Sequence, residues 1–133
     1  MGPNDAEVVR VFTQRVGATI ADVSFPVGAD FTVVADAEAG SALHGAGAQF
    51  STNIVVRDIT ANNNIPHAPA AGFSGAMTSA QWPNLDQKFQ YTIASADLAG
   101  REDHLCQVLT YLTAGVANPD TSFAVSPLFL LTP

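Results

Sequence analysis

Apolar side chains recur at every second position along most of this chain, in runs separated by Gly, Asn and Pro. Between Gln49 and Asp58, Phe50, Thr52, Ile54 and Val56 alternate with Ser51, Asn53, Val55 and Arg57. Successive Cβ atoms of a strand point to opposite faces of a sheet, so this spacing predicts a strand with one buried face. Phe89, Tyr91 and Ile93 alternate in the same way with Lys88, Gln90 and Thr92, and Phe31, Val33 and Ala35 give a third instance.

Read from the N-terminus, the pattern predicts a first strand region over 7–14 that resumes over 16–25 after a break at Arg15 to Gly17. Pro26, Gly28 and Asp30 form a turn, and 30–37 is the next strand. The connection 38–48, with Gly40, Gly45 and Gly47, has the composition of a flexible turn. After a strand over 49–60 comes a long irregular stretch, 61–83, in which only 73–78 is strand-like. Its Asn62-Asn63-Asn64, Pro66, Pro69, Gly72 and Gly75 argue against regular structure. It is either a crossing between two sheets, pinned to the core by Phe73 and Trp82, or a functional loop. A strand over 85–94 and a corner over 95–103 follow.

Residues 104–114 admit two readings. Leu105, Val108, Leu109 and Leu112 keep helical spacing, while Cys106, Val108, Thr110 and Leu112 alternate as in a strand. The turn residues 117–120 and the apolar run 122–131 beyond them favour the strand, as one arm of a hairpin. Pro127 makes the last strand an edge or a bulge, because proline cannot donate to a ladder.

Some seven to nine short strands at this spacing predict an all-β fold, an antiparallel two-sheet β-sandwich, in one domain spanning 1–133. The final third, with the corner Asp97-Leu98-Ala99-Gly100 ahead of His104-Leu105-Cys106-Gln107-Val108, resembles an immunoglobulin-like or fibronectin-like domain. It departs from the immunoglobulin pattern in having His104 where a Tyr stands, no second Cys, and Trp82 close to Cys106. The resemblance implies a sandwich of the kind that serves adhesion, assembly or recognition.

Composition narrows the function. Only 13% of the 133 residues are charged, against 47% apolar, so much of the surface is uncharged and a covering partner is expected. The net charge is −7 and the five basic residues are scattered, which argues against nucleic acid and against an anionic membrane surface. The longest apolar run, Pro127 to Leu131, is too short to be inserted in a bilayer. Cys106 is the lone cysteine and reads as a small buried hydrophobe; the lack of disulfides favours a reducing, cytoplasmic location unless a leader has been removed.

Candidate chemistry is sparse. His44, His67 and His104 show no metal-ligand spacing, so no metal is expected. Asp103-His104 with Ser74 or Ser126 is poor triad geometry, since neighbours on a strand point apart, and Gly40 to Gly47 lacks the Lys of a phosphate loop. No catalytic residue and no cofactor are therefore assigned. The favoured reading is a non-enzymatic interaction or self-assembly module, a homo-oligomer or the partner of another protein, with Val125, Leu128 and Leu130 on the contact surface. The alternative is a small-molecule-binding or enzymatic sandwich whose site lies under 61–83, with His67, Phe73, Met77 and Trp82 as ligand-binding residues.

Overall fold

A computed structural model describes residues 5–115 and 119–133. Along the chain its strands are β1 (Ala6–Arg15), β2 (Ser24–Pro26), β3 (Phe31–Ala39), β4 (Gln49–Asp58), β5 (Asn63–Ile65), β6 (Phe73–Ala76), β7 (Asp86–Ile93), β8 (Leu105–Ala114), β9 (Asp120–Val125) and β10 (Phe129–Thr132). A short helix, α1 (Ser41–Gly45), lies between β3 and β4. Three strands form one antiparallel sheet in the order β1-β3-β7. The others form a second sheet, β2-β10-β8-β4-β5, in which β6 also pairs with β4 and β9 with β8. The two sheets enclose the core, so the fold is an all-β sandwich, with ten strands among the described residues rather than seven to nine.

The alternating pattern lands where the sequence placed it. On β4, Phe50, Thr52, Ile54 and Val56 are buried while Ser51 and Val55 are exposed. Phe31, Val33 and Ala35 of β3 meet them from the opposite sheet, with Phe89, Tyr91 and Ile93 of β7 beside them. Two aromatic clusters fill the ends of the core. Phe25 stacks on Phe31 at 4.4 Å between ring centroids with Phe129 edge-on to both, and Trp82 meets Phe50 at 5.0 Å and Phe89 at 5.4 Å in edge-to-face contacts.

Residues 104–114 resolve as strand β8, paired with β4 along its length, so the helical spacing there is incidental. β8 and β9 pair as the expected hairpin; of the turn expected over 117–120, residues 117 and 118 lie outside the described residues and Asp120 already belongs to β9. Pro127 divides the last apolar run: β9 pairs with Leu109 to Ala114 of β8, and β10 with Leu105 and Cys106. Ser126 bridges the break, its hydroxyl accepting the Val108 N–H at 2.9 Å in place of a main-chain carbonyl.

Three expectations are corrected. Residues 16–23 are a loop rather than a strand, because the apolar Val16, Ile20 and Val23 are all exposed and only Ser24–Pro26 pairs, parallel to β10. The glycine-rich connection contains α1, held by the buried His44, whose Nε2 lies 2.8 Å from the Trp82 carbonyl oxygen. The stretch 61–83 holds a second short strand, β5, on the distal end of β4.

Between β5 and β6 the edge of β4 is closed by the loop rather than by a strand. Asn53 donates to the Ala70 carbonyl at 3.0 Å and accepts the Ile54 N–H at 2.8 Å, and His67 Nε2 lies 2.9 Å from its Oδ1. Gly72 permits this close approach. Its φ is +71°, and a Cβ there would overlap the Thr52 carbonyl oxygen and come within 2.7 Å of Asn53 Cγ. Gly72→Ala is expected to destabilise the fold by about 1–3 kcal/mol, the usual cost of a strained backbone position. A urea titration that leaves the midpoint unchanged contradicts this account of the loop.

Candidate functional site

The outer face of the larger sheet is the most unusual surface of the molecule. On β9, Asp120, Ser122 and Ala124 turn toward β1, and Thr121, Phe123 and Val125 turn outward. β1 fixes this choice: its Ala6 N–H donates to Asp120 Oδ2 and its Val8 N–H to Ser122 Oγ, each at 3.0 Å. Phe123 is consequently 77% exposed and Val125 56% exposed. Cross-strand pairing puts Phe123 beside Tyr111 and Val125 beside Leu109, and Leu109 in turn beside Val55 of β4. Each of these side chains is exposed, so they form one apolar patch across three strands.

Leu128 and Leu130 extend the patch toward the other end of the sheet. Both are exposed, whereas their neighbours Phe129 and Leu131 are in the core. Leu130 lies opposite the exposed Leu105. Val125, Leu128 and Leu130 are thus all on the surface. The sequence missed their companions on β8 and β4, because Leu109, Tyr111 and Val55 join the patch only through inter-strand register. The outward positions of β4, β8 and β9 carry no Asp or Glu, and Arg57 is their one charge, in a chain with twelve acidic residues.

A second constellation lies at the end of β4. Asp58 is fully buried, and its Oδ2 accepts from Arg101 Nη1 at 2.7 Å and lies 2.7 Å from His104 Nδ1. Oδ1 accepts the Ala61 N–H at 2.9 Å, and Arg101 also donates to Asn63 Oδ1 at 2.6 Å and to the Asp97 carbonyl at 3.0 Å. Burial alone would raise the Asp58 carboxyl, but the hydrogen bonds from Ala61, His104 and Arg101 outweigh it and hold the carboxyl below its ordinary value.

The acid partner of His104 is therefore Asp58, distant in sequence, and not its neighbour Asp103. Among the described residues no hydroxyl or thiol bonds the other ring nitrogen of His104. Ser126 is buried with its hydroxyl bonded to Val108 N–H and the Pro127 carbonyl. Cys106 lies behind the cluster, where burial and then the Asp58 charge push its thiol up to about 12. The arrangement ties the β4 end to the 97–104 corner; it presents no nucleophile.

Of the residues proposed for a pocket under 61–83, His67, Phe73 and Trp82 gather around Phe89 and Tyr91 without lining one depression. Met77 and Trp82 are fully buried in the core. Phe73 packs against Phe89 and Tyr91 at 5.2 and 5.3 Å and touches an open depression of about 400 Å³ beside Gln81 and Lys88. His67 lines a different, smaller one of about 250 Å³ with Val55 and Ile65, and burial lowers its pKa. Among the described residues no helix is long and apolar enough to cross a membrane.

No family model matches the chain, and no curated protein matches it. Among solved structures, the chain is similar to AggA, the major subunit of aggregative adherence fimbriae type I from Escherichia coli. The TM-score is 0.48 at 10% sequence identity, over 93% of this chain and 97% of that one.

Proposed function

We propose that this protein is a non-enzymatic interaction module, an immunoglobulin-like sandwich that associates with further copies of itself through the outer face of its larger sheet. The observation that carries the reading is the patch formed by Val55, Leu109, Tyr111, Phe123 and Val125, exposed on three adjacent strands. Water contact with so much contiguous apolar surface is unfavourable by about 25 cal/mol per Å² that a partner could cover. Charge sets the face on which a second copy can serve as that partner. With −7 per chain, two copies repel at most approaches, and a face free of carboxylates is where that repulsion is weakest. Cytoplasmic residence belongs to the same reading and rests on the lone buried thiol of Cys106.

Light scattering over a range of concentrations tests it. The wild type should rise in mass with concentration. Phe123→Lys should weaken association about tenfold or more while leaving thermal stability within about 0.5 kcal/mol, since an exposed position tolerates charge in the monomer and a contact does not. A wild type that keeps the monomer mass of 13.8 kDa throughout, or a variant that associates unchanged, removes the reading.

A further inference from the structure

Main-chain hydrogen bonds fix which residues of β9 face β8 and which face the open edge of the sheet. The Ser126 N–H donates to the Val108 carbonyl, and the Gly115 N–H to the Gln49 carbonyl, each at 2.9 Å. Even-numbered residues of β8 therefore bond β9 and odd-numbered ones bond β4. On β9 the same alternation directs the main chain of Asp120, Ser122 and Ala124 at β8, and that of Thr121, Phe123 and Val125 away from it. β1 runs nearby, but it engages β9 through the side chains of Asp120 and Ser122 and leaves those outward N–H and C=O groups alone. Among the described residues they have no hydrogen-bonding partner.

The β7 edge of the smaller sheet shows what a protected edge looks like in this chain. Thr92 and Ala68 exchange main-chain bonds of 2.8 and 3.0 Å, so Asp86, Lys88 and Gln90 of β7 also direct their main chain outward. That edge carries Lys88 and Asp86, and charged side chains, lysine above all, are the usual protection against stray pairing. The β9 edge carries Thr, Phe and Val instead.

We infer that β9 pairs antiparallel with β9 of a second copy across a two-fold axis, joining the larger sheets of two molecules into one. The strand is self-complementary in this register. Phe123 meets Phe123 of the other copy and Thr121 meets Val125, each pair exchanging both main-chain bonds, and no like charges face each other. The outer faces then lie side by side, with Tyr111 and Phe123 of each copy forming a row of four aromatic rings. The inference rests on the self-association proposed above and specifies its geometry.

Hydrogen exchange on the wild type at low and high concentration, with Thr121→Pro in parallel, tests it. Thr121→Pro deletes one outward N–H and keeps the whole apolar face. Its intrachain ladder survives, because proline is tolerated where the missing N–H faces away from the partner strand. The expected result is a wild type that doubles from 13.8 kDa, with the amides of Thr121, Phe123 and Val125 exchanging about tenfold or more slowly in the dimer. The variant should fold and stay at the monomer mass. A dimer in which those three amides exchange as fast as in the monomer overturns edge pairing and leaves association through the face standing, whether or not Thr121→Pro folds. A wild type that stays monomeric overturns both.

Discussion

Ile54→Asp is expected to leave the chain unfolded in buffer at 25 °C, while Val55→Asp, one residue along, folds and melts close to the wild type. Ile54 is 2% exposed and sits in the core between the sheets, whereas Val55 on the opposite face of β4 is 40% exposed. Removing the Ile side chain from a packed core costs about 2–5 kcal/mol. An unpaired carboxylate in its place adds several kcal/mol, whether it stays ionised or takes up a proton. Together these approach or exceed the total stability of about 5–15 kcal/mol of an ordinary domain. At Val55 the carboxylate remains in water, and the loss is that of a β-branched residue on a half-exposed strand, about 1 kcal/mol or less. Circular dichroism melts of the two variants distinguish these outcomes, and equal shifts contradict the register of β4.

The second large effect is at Asp58. Asp58→Ala is expected to lower stability by about 3–5 kcal/mol, because it leaves Arg101, mostly buried, facing a site without its counter-charge and frees the Ala61 N–H. The same group sets an acid limit on the fold. Its pKa in the folded chain lies below the ordinary value of 3.8, so the unfolded chain binds the proton more readily. The stabilisation is then complete above about pH 4 and is lost as pH falls through the lower, folded value. Wild-type melting temperature should fall steeply below about pH 4, and Asp58→Asn, less stable at neutral pH, should show a shallower decline there. Parallel acid profiles for the two proteins contradict the assignment.

Strand identity in this protein was legible because period-two alternation is a local property. A strand half buried in a sandwich must present apolar residues on one side only, and 49–58 and 86–93 do so without help from distant residues. The lapses have local causes too. Val16, Ile20 and Val23 imitate a strand, yet each stays in water because no neighbouring strand covers it. Helix α1 is hidden in a glycine-rich segment whose one informative residue, His44, gains meaning only from the carbonyl of Trp82. Met77 and Trp82 suited a pocket as well as a core until the packing of Phe50 and Phe89 against the indole placed the ring inside.

The candidate surface divides in the same way. That 122–131 cannot bury all its apolar side chains follows from local pattern, since Pro127 breaks the alternation and a strand has two faces. Which side of β9 meets water is a tertiary decision, made where the amides of Ala6 and Val8 take Asp120 and Ser122 inward and so turn Phe123 and Val125 out. The Asp58, Arg101 and His104 cluster is likewise assembled from segments more than forty residues apart, which the pairing of β4 with β8 and the fold of the 97–104 corner make neighbours. Alternation along a strand is fixed by the chirality and pleat of the chain, whereas the partner on each side is fixed by contacts that exist only once both sheets have closed on the core.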